Sequence, residues 1–237
     1  MTVELPSTDD QENEYRYERK YVLAATHASN MLMRIKLHPN GFREKYSPRC
    51  VNNLYFDTLG HASFFDNVEG AGGRTKLRVR WYGDTLRRID APILEFKVKR
   101  GVVGTKRRFE LPSFELTREQ SVGKSVVAVL SKADLPPAVK SQLQFVEPTL
   151  LNRYHRRYFE TSGGVFRLTV DDDLRYFDPR RRPSSVLNSV ANPESRLIVE
   201  LKYGHQNEMQ AGTIANYLGL RVTKNSKYVQ GMEQLAD

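Results

Sequence analysis

Three consecutive segments near the middle of the chain alternate between apolar and charged residues with a period of two. They span residues 75–83, 93–101 and 104–111. Because successive side chains of a β-strand point to opposite faces, this period predicts three strands that each have one apolar and one charged face. The connections between them are short, which favours an antiparallel meander.

The first of these segments shows the pattern most clearly. Lys76, Arg78 and Arg80 share one face, and Leu77 and Val79 share the other. Lysine and arginine therefore cover a complete strand face, whereas an ordinary solvated face carries mixed polar residues.

The next two segments repeat the arrangement with acidic residues added. Glu95 and Lys97 lie on the charged face of the second segment, and Lys106 and Arg108 on that of the third, where Arg107 interrupts the alternation. A face that combines lysine, arginine and glutamate suits a polyanion together with a metal ion.

The rest of the chain predicts further strands and several helices. Thr26 is predicted to cap the first helix, because threonine accepts hydrogen bonds from the first helical N–H groups. Predicted strands cover 14–24, 42–57, 148–160, 165–172, 174–178 and 196–203, and predicted helices cover 26–38, 62–68, parts of 117–145, 206–218 and 225–236. Strands that follow one another in sequence, with few helices, indicate an α+β protein with a large antiparallel sheet.

Two interpretations of the charged faces remain open at this point. A flat antiparallel sheet with one solvated face would give the same alternation. However, like charges on one sheet face repel each other, so a dense cationic face costs stability unless a ligand compensates it. We therefore favour a closed antiparallel β-barrel, charged inside and covered by helices outside.

Charge supports an anionic partner. The chain of 237 residues has 37 lysines and arginines against 28 acids, a net charge of +9. Five of the acids lie in the first fourteen residues, so the remainder carries 37 basic against 23 acidic residues, a net charge of +14. Nucleic acid, anionic lipid, nucleotide and polyphosphate are all compatible with this excess.

Domain organisation and location follow from the same survey. Residues 1–13 are predicted to be a disordered acidic tail, followed by a single domain over 14–237. Cys50 is the one cysteine, which excludes an intramolecular disulfide, and the longest apolar run, 126–130, is too short to span a bilayer. These features predict a cytoplasmic protein that reaches a membrane only through a partner.

Eight short motifs then point to a family. They are Tyr17–Leu23, Leu54–Asp57, Leu77–Gly83, Leu94–Lys97, Lys106–Phe109, Asn152–Arg156, Val199–Lys202 and Lys224–Lys227. Over about residues 14–236, the chain resembles the VTC domain, the catalytic domain of the vacuolar transporter chaperone polyphosphate polymerase. This domain is a branch of the triphosphate tunnel metalloenzymes, also called CYTH-like proteins.

The resemblance implies a tunnel of eight antiparallel strands and a set of functional residues. The implied catalytic basic residues are Lys20, Arg78, Arg80, Lys97, Lys106, Arg156, Lys202 and Lys227. Of these, the ATP phosphates would contact Arg78, Arg80, Lys97, Arg156 and Lys227. Arginine offers a planar fork to phosphate oxygens and lysine a compact charge.

The resemblance also implies a divalent metal, Mn²⁺ or Mg²⁺. Glu200 is the principal ligand candidate, with Glu18 and Glu95 beside it and Glu110 and Asp171 behind. Such an ion needs only one or two protein carboxylates when phosphates supply its other ligands. Ion pairing with neighbouring bases is the alternative role for Glu95 and Glu110, and a turn is the alternative interpretation of the run of aspartates at 171–173.

One departure from the wider superfamily bears on the reaction. Related chains open with Glu-x-Glu-x-Lys, whereas here the first position is Arg16, followed by Glu18 and Lys20. Fewer carboxylates and more positive charge resemble the polymerase branch more than the hydrolytic branches.

The leading prediction is thus a metal-dependent polyphosphate polymerase that transfers the γ-phosphate of ATP to a growing polyphosphate chain. A triphosphate hydrolase of the same superfamily and a non-catalytic polyphosphate-binding module are the alternatives. Nucleic-acid binding rests on charge alone, without a supporting motif. ATP and polyphosphate are the predicted partners, a membrane protein would be needed to couple synthesis to translocation, and the oligomeric state is left open.

Overall fold

Eight antiparallel strands form one large sheet in the computed structural model, which describes residues 16–100, 103–181 and 196–236. The ten strands are β1 (Arg16–Ala24), β2 (Arg43–Asp57), β3 (Gly73–Tyr82), β4 (Arg87–Ile89), β5 (Ile93–Arg100), β6 (Val103–Glu110), β7 (Phe114–Leu116), β8 (Glu147–Glu160), β9 (Arg167–Phe177) and β10 (Arg196–Gly204). The large sheet has the order β1-β10-β9-β8-β2-β3-β5-β6, and β4 pairs separately with β7. The predicted α+β class and large antiparallel sheet are confirmed, whereas the acidic tail at 1–13 lies outside the described residues.

The sheet is strongly curled. Six strand spacings separate β1 from β5, so a flat sheet would hold them about 29 Å apart. Instead, the Nζ atom of Lys97 on β5 lies 3.7 Å from the Oε2 atom of Glu18 on β1. No hydrogen-bonded ladder joins β6 to β1 within the described strands, so complete closure into a barrel stays a prediction.

Helices cover the apolar outer faces of the curled sheet. They are α1 (Ala28–Lys36), α2 (Ala62–Glu69), α3 (Val122–Lys132), α4 (Pro137–Leu143), α5 (Glu208–Leu218) and α6 (Lys227–Ala236). One core packs Val79, Trp81 and Leu94 against α3 and α4. A second core packs β1, β9 and β10 against α1 and α5 around Ile35 and Ile214. Because the apolar faces are used outside, the charged faces line the concave side.

Two predicted boundaries were wrong. Thr26 does not cap the first helix: a 3₁₀ turn occupies Ala25–His27, and α1 follows with His27 at its N-cap position. The two strands predicted at 165–172 and 174–178 are one strand, β9, with a register shift opposite Arg153 and His155. Asp173 has a φ of 47° there, so a local bulge and not a chain reversal interrupts the alternation.

Helix α6 packs closely against β8 and β9, and this close approach requires glycine at position 231. A Cβ atom at this position would lie 2.5 Å from Leu150 and from Tyr176. Glycine therefore lets α6 approach β8 and β9, which places Lys227, the first residue of α6, among the buried charges of the concave face. Within the described ranges, no helix is long and apolar enough to cross a bilayer.

Candidate functional site

The concave face gathers the eight basic residues that the sequence predicted. They come from seven elements, namely β1, β3, β5, β6, β8, β10 and α6. Strand pairing places Arg78 opposite Glu95, Lys97 opposite both Lys76 and Lys106, and Lys20 opposite Glu200. The eight side chains form two sets of ion pairs, each built around buried carboxylates.

The first set is centred on Glu95 and is called the Glu95 group; it comprises Glu95, Arg78, Arg80, Lys106 and Arg108. The Oε2 atom of Glu95 accepts from Arg78 Nε at 2.7 Å and lies 3.8 Å from Arg80 Nη1. Its Oε1 atom pairs with Lys106 and lies 3.5 Å from Arg108 Nε. Four cations therefore surround a side chain that is only 3% exposed.

The electrostatics of the Glu95 group follow from this crowding. Burial alone would raise the pKa of the Glu95 carboxyl, but Arg78, Arg80 and Lys106 outweigh it and lower the pKa well below its usual range. Burial lowers the pKa of the Lys106 ammonium to about 7, with Arg78 and Arg80 adding to the effect against the opposing influence of Glu95. The group is thus a fixed carboxylate inside an excess of positive charge.

Two asparagines hold one arginine of this group in place. Arg80 Nε donates to Asn53 Oδ1 at 2.8 Å, and Asn53 Nδ2 donates to Asn152 Oδ1 at 2.8 Å. Both asparagines are buried. Neither asparagine is among the predicted site residues, although Asn152 stands inside one of the quoted motifs.

The second set is called the Glu200 group; it comprises Glu18, Asp171, Glu200, Lys20, Lys97, Arg156, Lys202 and Lys227. Its centre is Glu200, with Lys20 Nζ and Lys227 Nζ each 3.5 Å from Oε1 and Arg156 Nη2 3.4 Å from Oε2. Burial would raise the pKa of the Glu200 carboxyl, yet Lys227, Lys20 and Arg156 bring it well below the ordinary value.

Glu18 joins this group from the edge of the sheet. Lys20 Nζ lies 3.1 Å from Glu18, and both Lys97 and Lys202 approach its other oxygen, at 3.7 and 3.6 Å. Burial and Glu200 act to raise the pKa of Glu18, but the three lysines lower it to about 2. Glu18 and Glu200 therefore contact the same ammonium group, that of Lys20, as ionised carboxylates.

Asp171, which was predicted as a reserve metal ligand, lies in the Glu200 group as the ion-pair partner of two cations. It is fully buried and pairs with Arg156 through two hydrogen bonds of 2.5 and 2.6 Å, while Lys227 Nζ lies 2.6 Å from Oδ2. The run of three aspartates concealed it, because the bulge at Asp173 changes the alternation after this position. Asp171 orients the Arg156 and Lys227 side chains whose predicted partner is phosphate.

Lys76 lies on the same face but belongs to neither group. Its Nζ atom donates to Ser226 Oγ at 2.9 Å, and no ion pair with a carboxylate is seen among the described side chains. Burial lowers the pKa of Lys76 to about 6, and the neighbouring cations Lys20, Lys97, Arg78 and Arg74 add to the effect. The alternation of the strand predicts Lys76 on the charged face but no role for it.

The carboxylates differ in how well they suit a metal ion. Glu18 and Glu200 meet at one lysine, so the two could share a cation whose remaining ligands are phosphate oxygens. Glu95 has four cationic neighbours and no second carboxylate in its group. The described residues contain no cluster of three or more His, Cys, Asp or Glu side chains in metal-binding arrangement.

Comparisons with known proteins agree with this architecture. The family profile of the VTC domain matches residues 15–236. No curated protein matches the chain significantly. Among solved structures, the candidate adenylyl cyclase HpAC1 from Hippeastrum, described as having a dominant triphosphatase activity, has a TM-score of 0.54 at 14% identity, over 93% of this chain and 96% of that one.

Two further solved structures have the same fold at low identity. PH1819 from Pyrococcus horikoshii has a TM-score of 0.51 at 11% identity, over 92% of this chain and 99% of that one. A candidate adenylate cyclase from Vibrio parahaemolyticus has a TM-score of 0.50 at 12% identity, over 92% and 99% of the two chains. At such identities the likeness concerns the fold.

Proposed function

The chain belongs to the VTC domain family, and on that premise we propose that it is a polyphosphate polymerase. In this proposal it transfers the γ-phosphate of ATP to the end of a growing inorganic polyphosphate chain. The curled sheet would form the wall of a tunnel in which both polyanions lie.

The observation that carries the proposal is the charge distribution on the concave face. Cations from seven elements converge on one surface, while the apolar faces of the same strands are used by the helical cores. Like charges brought together in this way cost stability unless an anion compensates them. A triphosphate, or a chain of phosphates, spreads negative charge over a length that matches such a surface.

Individual side chains then take defined tasks. Arg78 and Arg80 would bind phosphate oxygens through their planar forks, held in position by Glu95 and Asn53. Arg156 and Lys227 would bind a neighbouring phosphate from the other side, oriented by Asp171. Fixed donors of this kind stabilise the charge of the transition state without reorganising during the reaction.

A divalent cation fits beside Glu200 and Glu18, and it would supply neutralisation of phosphate charge there when bound. Glu95 stays a predicted ligand, but its four cationic neighbours favour a structural role in our proposal. Both Mn²⁺ and Mg²⁺ suit a site of oxygen ligands.

The transfer itself needs alignment more than covalent help. A terminal phosphate oxygen of the acceptor chain attacks the γ-phosphorus of ATP, the bond from that phosphorus to the β–γ bridging oxygen breaks, and ADP leaves. Because the attacking oxygen is already an anion, no protein base has to remove a proton. Lys97, Lys106 and Lys202 would hold the acceptor and stabilise the charge as it shifts.

A triphosphate hydrolase is the second candidate. It is favoured by the fold shared with HpAC1, which is described as having a dominant triphosphatase activity. Water would then replace the phosphate chain as the nucleophile. A water molecule needs a base to accept its proton, and the central carboxylates of both groups, Glu200 and Glu95, are already ion-paired with cations, which makes them poor bases.

The direct test is to incubate the purified protein with ATP and Mn²⁺ and to separate the products by length. We expect phosphate chains that lengthen with time and one ADP for each phosphate added. Orthophosphate as the sole phosphate product would replace the proposal with the hydrolase. No turnover, together with a raised Tm in the presence of polyphosphate, would replace it with the binding module.

A matched pair of variants makes the assay specific for the concave face. Arg78→Met removes a cation from the Glu95 group, whereas Lys140→Met removes one from the exposed surface of α4. We expect chain synthesis to fall at least tenfold in the first variant and to stay at the wild-type level in the second. Equal activity of the two variants would remove Arg78 from the phosphate site.

A further inference from the structure

The charged face continues past Arg80 and Arg156 into a cluster of aromatic residues. We call Tyr46, Arg49, Tyr82 and Tyr158 the tyrosine cluster. Tyr82 follows Arg80 by two residues on β3, and Tyr158 follows Arg156 by two residues on β8. Because side chains repeat with a period of two, both rings lie on the concave face beside the phosphate-binding arginines.

Three rings surround one guanidinium in this cluster. The Cζ atom of Arg49 lies 4.5 Å from the ring centre of Tyr46, 5.6 Å from that of Tyr82 and 5.7 Å from that of Tyr158. Tyr46 and Tyr158 pack edge to face, with ring centres 5.6 Å apart. The contacts fix the ring positions by cation–π and aromatic packing, so the cluster is ordered before any ligand arrives.

Two features of the cluster are not explained by packing alone. Tyr46 and Tyr82 remain 43% and 41% exposed, although they belong to an ordered aromatic group. The side chain of Arg49 makes cation–π contacts but shows no hydrogen bond or ion pair with any described residue, in contrast to the arginine side chains of the Glu95 and Glu200 groups. The cluster therefore presents two partly exposed rings and the N–H donors of the Arg49 side chain to its surroundings.

The cluster is continuous with the proposed phosphate site. Tyr158 is shared between the two: the Cζ atom of Arg156 lies 5.8 Å from its ring centre, and that of Arg49 lies 5.7 Å from it. If the phosphates of a ligand contact Arg156 and Arg80, a group attached to the end of its phosphate chain would therefore lie against these rings.

From this juxtaposition, we propose that the tyrosine cluster is a stacking platform for the nucleobase of a nucleoside triphosphate. The inference rests on the proposed function and makes it more specific. Aromatic rings bind any base through its π-face, and Arg49 can donate to acceptors on the base edge or to the first phosphate. The site would thereby favour a nucleoside triphosphate over inorganic tripolyphosphate, which has no base to stack.

Two ligands that share the triphosphate separate the platform from the phosphate site. The probes are an ATP analogue with a β–γ imido bridge, which is not consumed, and inorganic tripolyphosphate, each titrated calorimetrically in Mn²⁺. Since stacking of a base on an aromatic ring contributes to binding, Tyr82→Ala is expected to weaken the analogue about tenfold. Its effect on tripolyphosphate is expected to be less than twofold.

Matched variants control for general damage to the fold. Tyr82→Phe keeps the ring and should bind the analogue within twofold of wild type, and Tyr46→Ala should behave like Tyr82→Ala. Phe145→Ala removes an exposed ring outside the concave face, with 72% of the side chain accessible, and should change neither affinity.

The outcomes distinguish this inference from the function on which it rests. Equal weakening of both probes by Tyr82→Ala, or no weakening of either, would overturn the nucleobase platform while the phosphate site stands. Failure of the wild-type protein to bind tripolyphosphate at all would instead overturn the proposed function. Selective loss of the nucleotide analogue supports the platform.

Discussion

The Glu95 group and the Glu200 group are both built from buried carboxylates among cations on one sheet face, yet their composition differs. In the Glu95 group, one carboxylate is contacted by four cations. In the Glu200 group, three carboxylates share five cations, and Glu18 and Glu200 meet at the same lysine. The ratio of carboxylates to cations is therefore higher in the Glu200 group than in the Glu95 group.

This difference divides the labour that a phosphoryl transfer requires. Because the cations around Glu95 outnumber its carboxylate, arginine N–H groups are available for phosphate oxygens. The negative charge of Glu95 reduces the mutual repulsion of these cations and holds them close together. The paired acids near Glu200 can share a divalent cation, and Asp171 keeps Arg156 in position. The Glu95 group thus offers positive charge to a phosphate, and the carboxylates of the Glu200 group offer negative charge to a divalent cation.

The largest expected effect concerns Asp171, which pairs with Arg156 and Lys227 in the Glu200 group. Asp171→Asn would leave the buried charges of Arg156 and Lys227 without their main partner, and breaking a buried ion pair in this way costs about 3–5 kcal/mol of stability. Urea unfolding of the purified variant measures the loss. Asp172→Asn is the matched control, since the side chain of Asp172 is 39% exposed and should change stability by less than about 0.5 kcal/mol. Equal stability of the two variants would contradict the supporting role.

Glu200→Gln tests the chemistry of the same group. We expect kcat to fall about 10²- to 10³-fold, the range found when a preorganised charge-stabilising group is removed. Polyphosphate binding should be retained or strengthened, because the variant removes a negative charge from a cationic surface. Glu119→Gln, at an exposed position, serves as the control. Unchanged turnover in Glu200→Gln, with the Tm of wild type, would remove Glu200 from the metal site.

The comparison becomes sharper when Glu18→Gln is set against Glu95→Gln. Electron paramagnetic resonance can follow Mn²⁺ binding in the presence of tripolyphosphate, independently of turnover. Glu18→Gln should weaken Mn²⁺ binding about tenfold, in the range seen for residues that support a metal site, whereas Glu95→Gln should change it less than twofold. The reverse order would exchange the roles of the two groups.

Sequence alone predicts much of this arrangement, because a period of two identifies the charged face of each strand. Arg78, Arg80, Lys97 and Lys106 were placed on that face before their strands were paired, and the structure brings them together. Their roles stay predictions. What the period cannot provide is the register between strands, which decides that Arg78, Lys106 and Arg108 all converge on Glu95. For this reason a metal role and an ion-pairing role for Glu95 could not be separated from sequence.

Other features escaped because they depend on local irregularity or on tertiary packing. The bulge at Asp173 made one strand resemble two and hid the buried position of Asp171. Strands β4 and β7 have three residues each, too few to show a period. The isolation of Lys76 from carboxylates is a property of the folded face, since Lys20 and Lys97 reach it from other strands.

The smallest expected effect concerns Lys76, the lysine of the concave face that belongs to neither group. The groups that face it are Arg74 and Arg78 from its own strand, Lys97 from β5, Lys20 from β1 and the Ser226 hydroxyl before α6. A phosphate ligand would supply the negative charge that Lys76 lacks and would raise its pKa. Binding above about pH 6 should therefore take up a proton, and the contribution of Lys76 to affinity should decline as the pH rises.

Between pH 6.5 and 8, we expect the affinity for tripolyphosphate to fall about fivefold more in the wild-type protein than in Lys76→Met. This decrease is below the limit of tenfold per pH unit for one proton. Lys76→Arg, whose charge does not titrate in this range, should bind most tightly at pH 8. Stability of the free protein should change in the opposite direction. From about pH 6 to the ordinary lysine pKa, the unfolded chain holds a proton that folded Lys76 lacks, so raising the pH stabilises the wild-type fold. Calorimetry in buffers of different ionisation enthalpy measures the proton uptake, and identical uptake by wild type and Lys76→Met would assign the proton to another group.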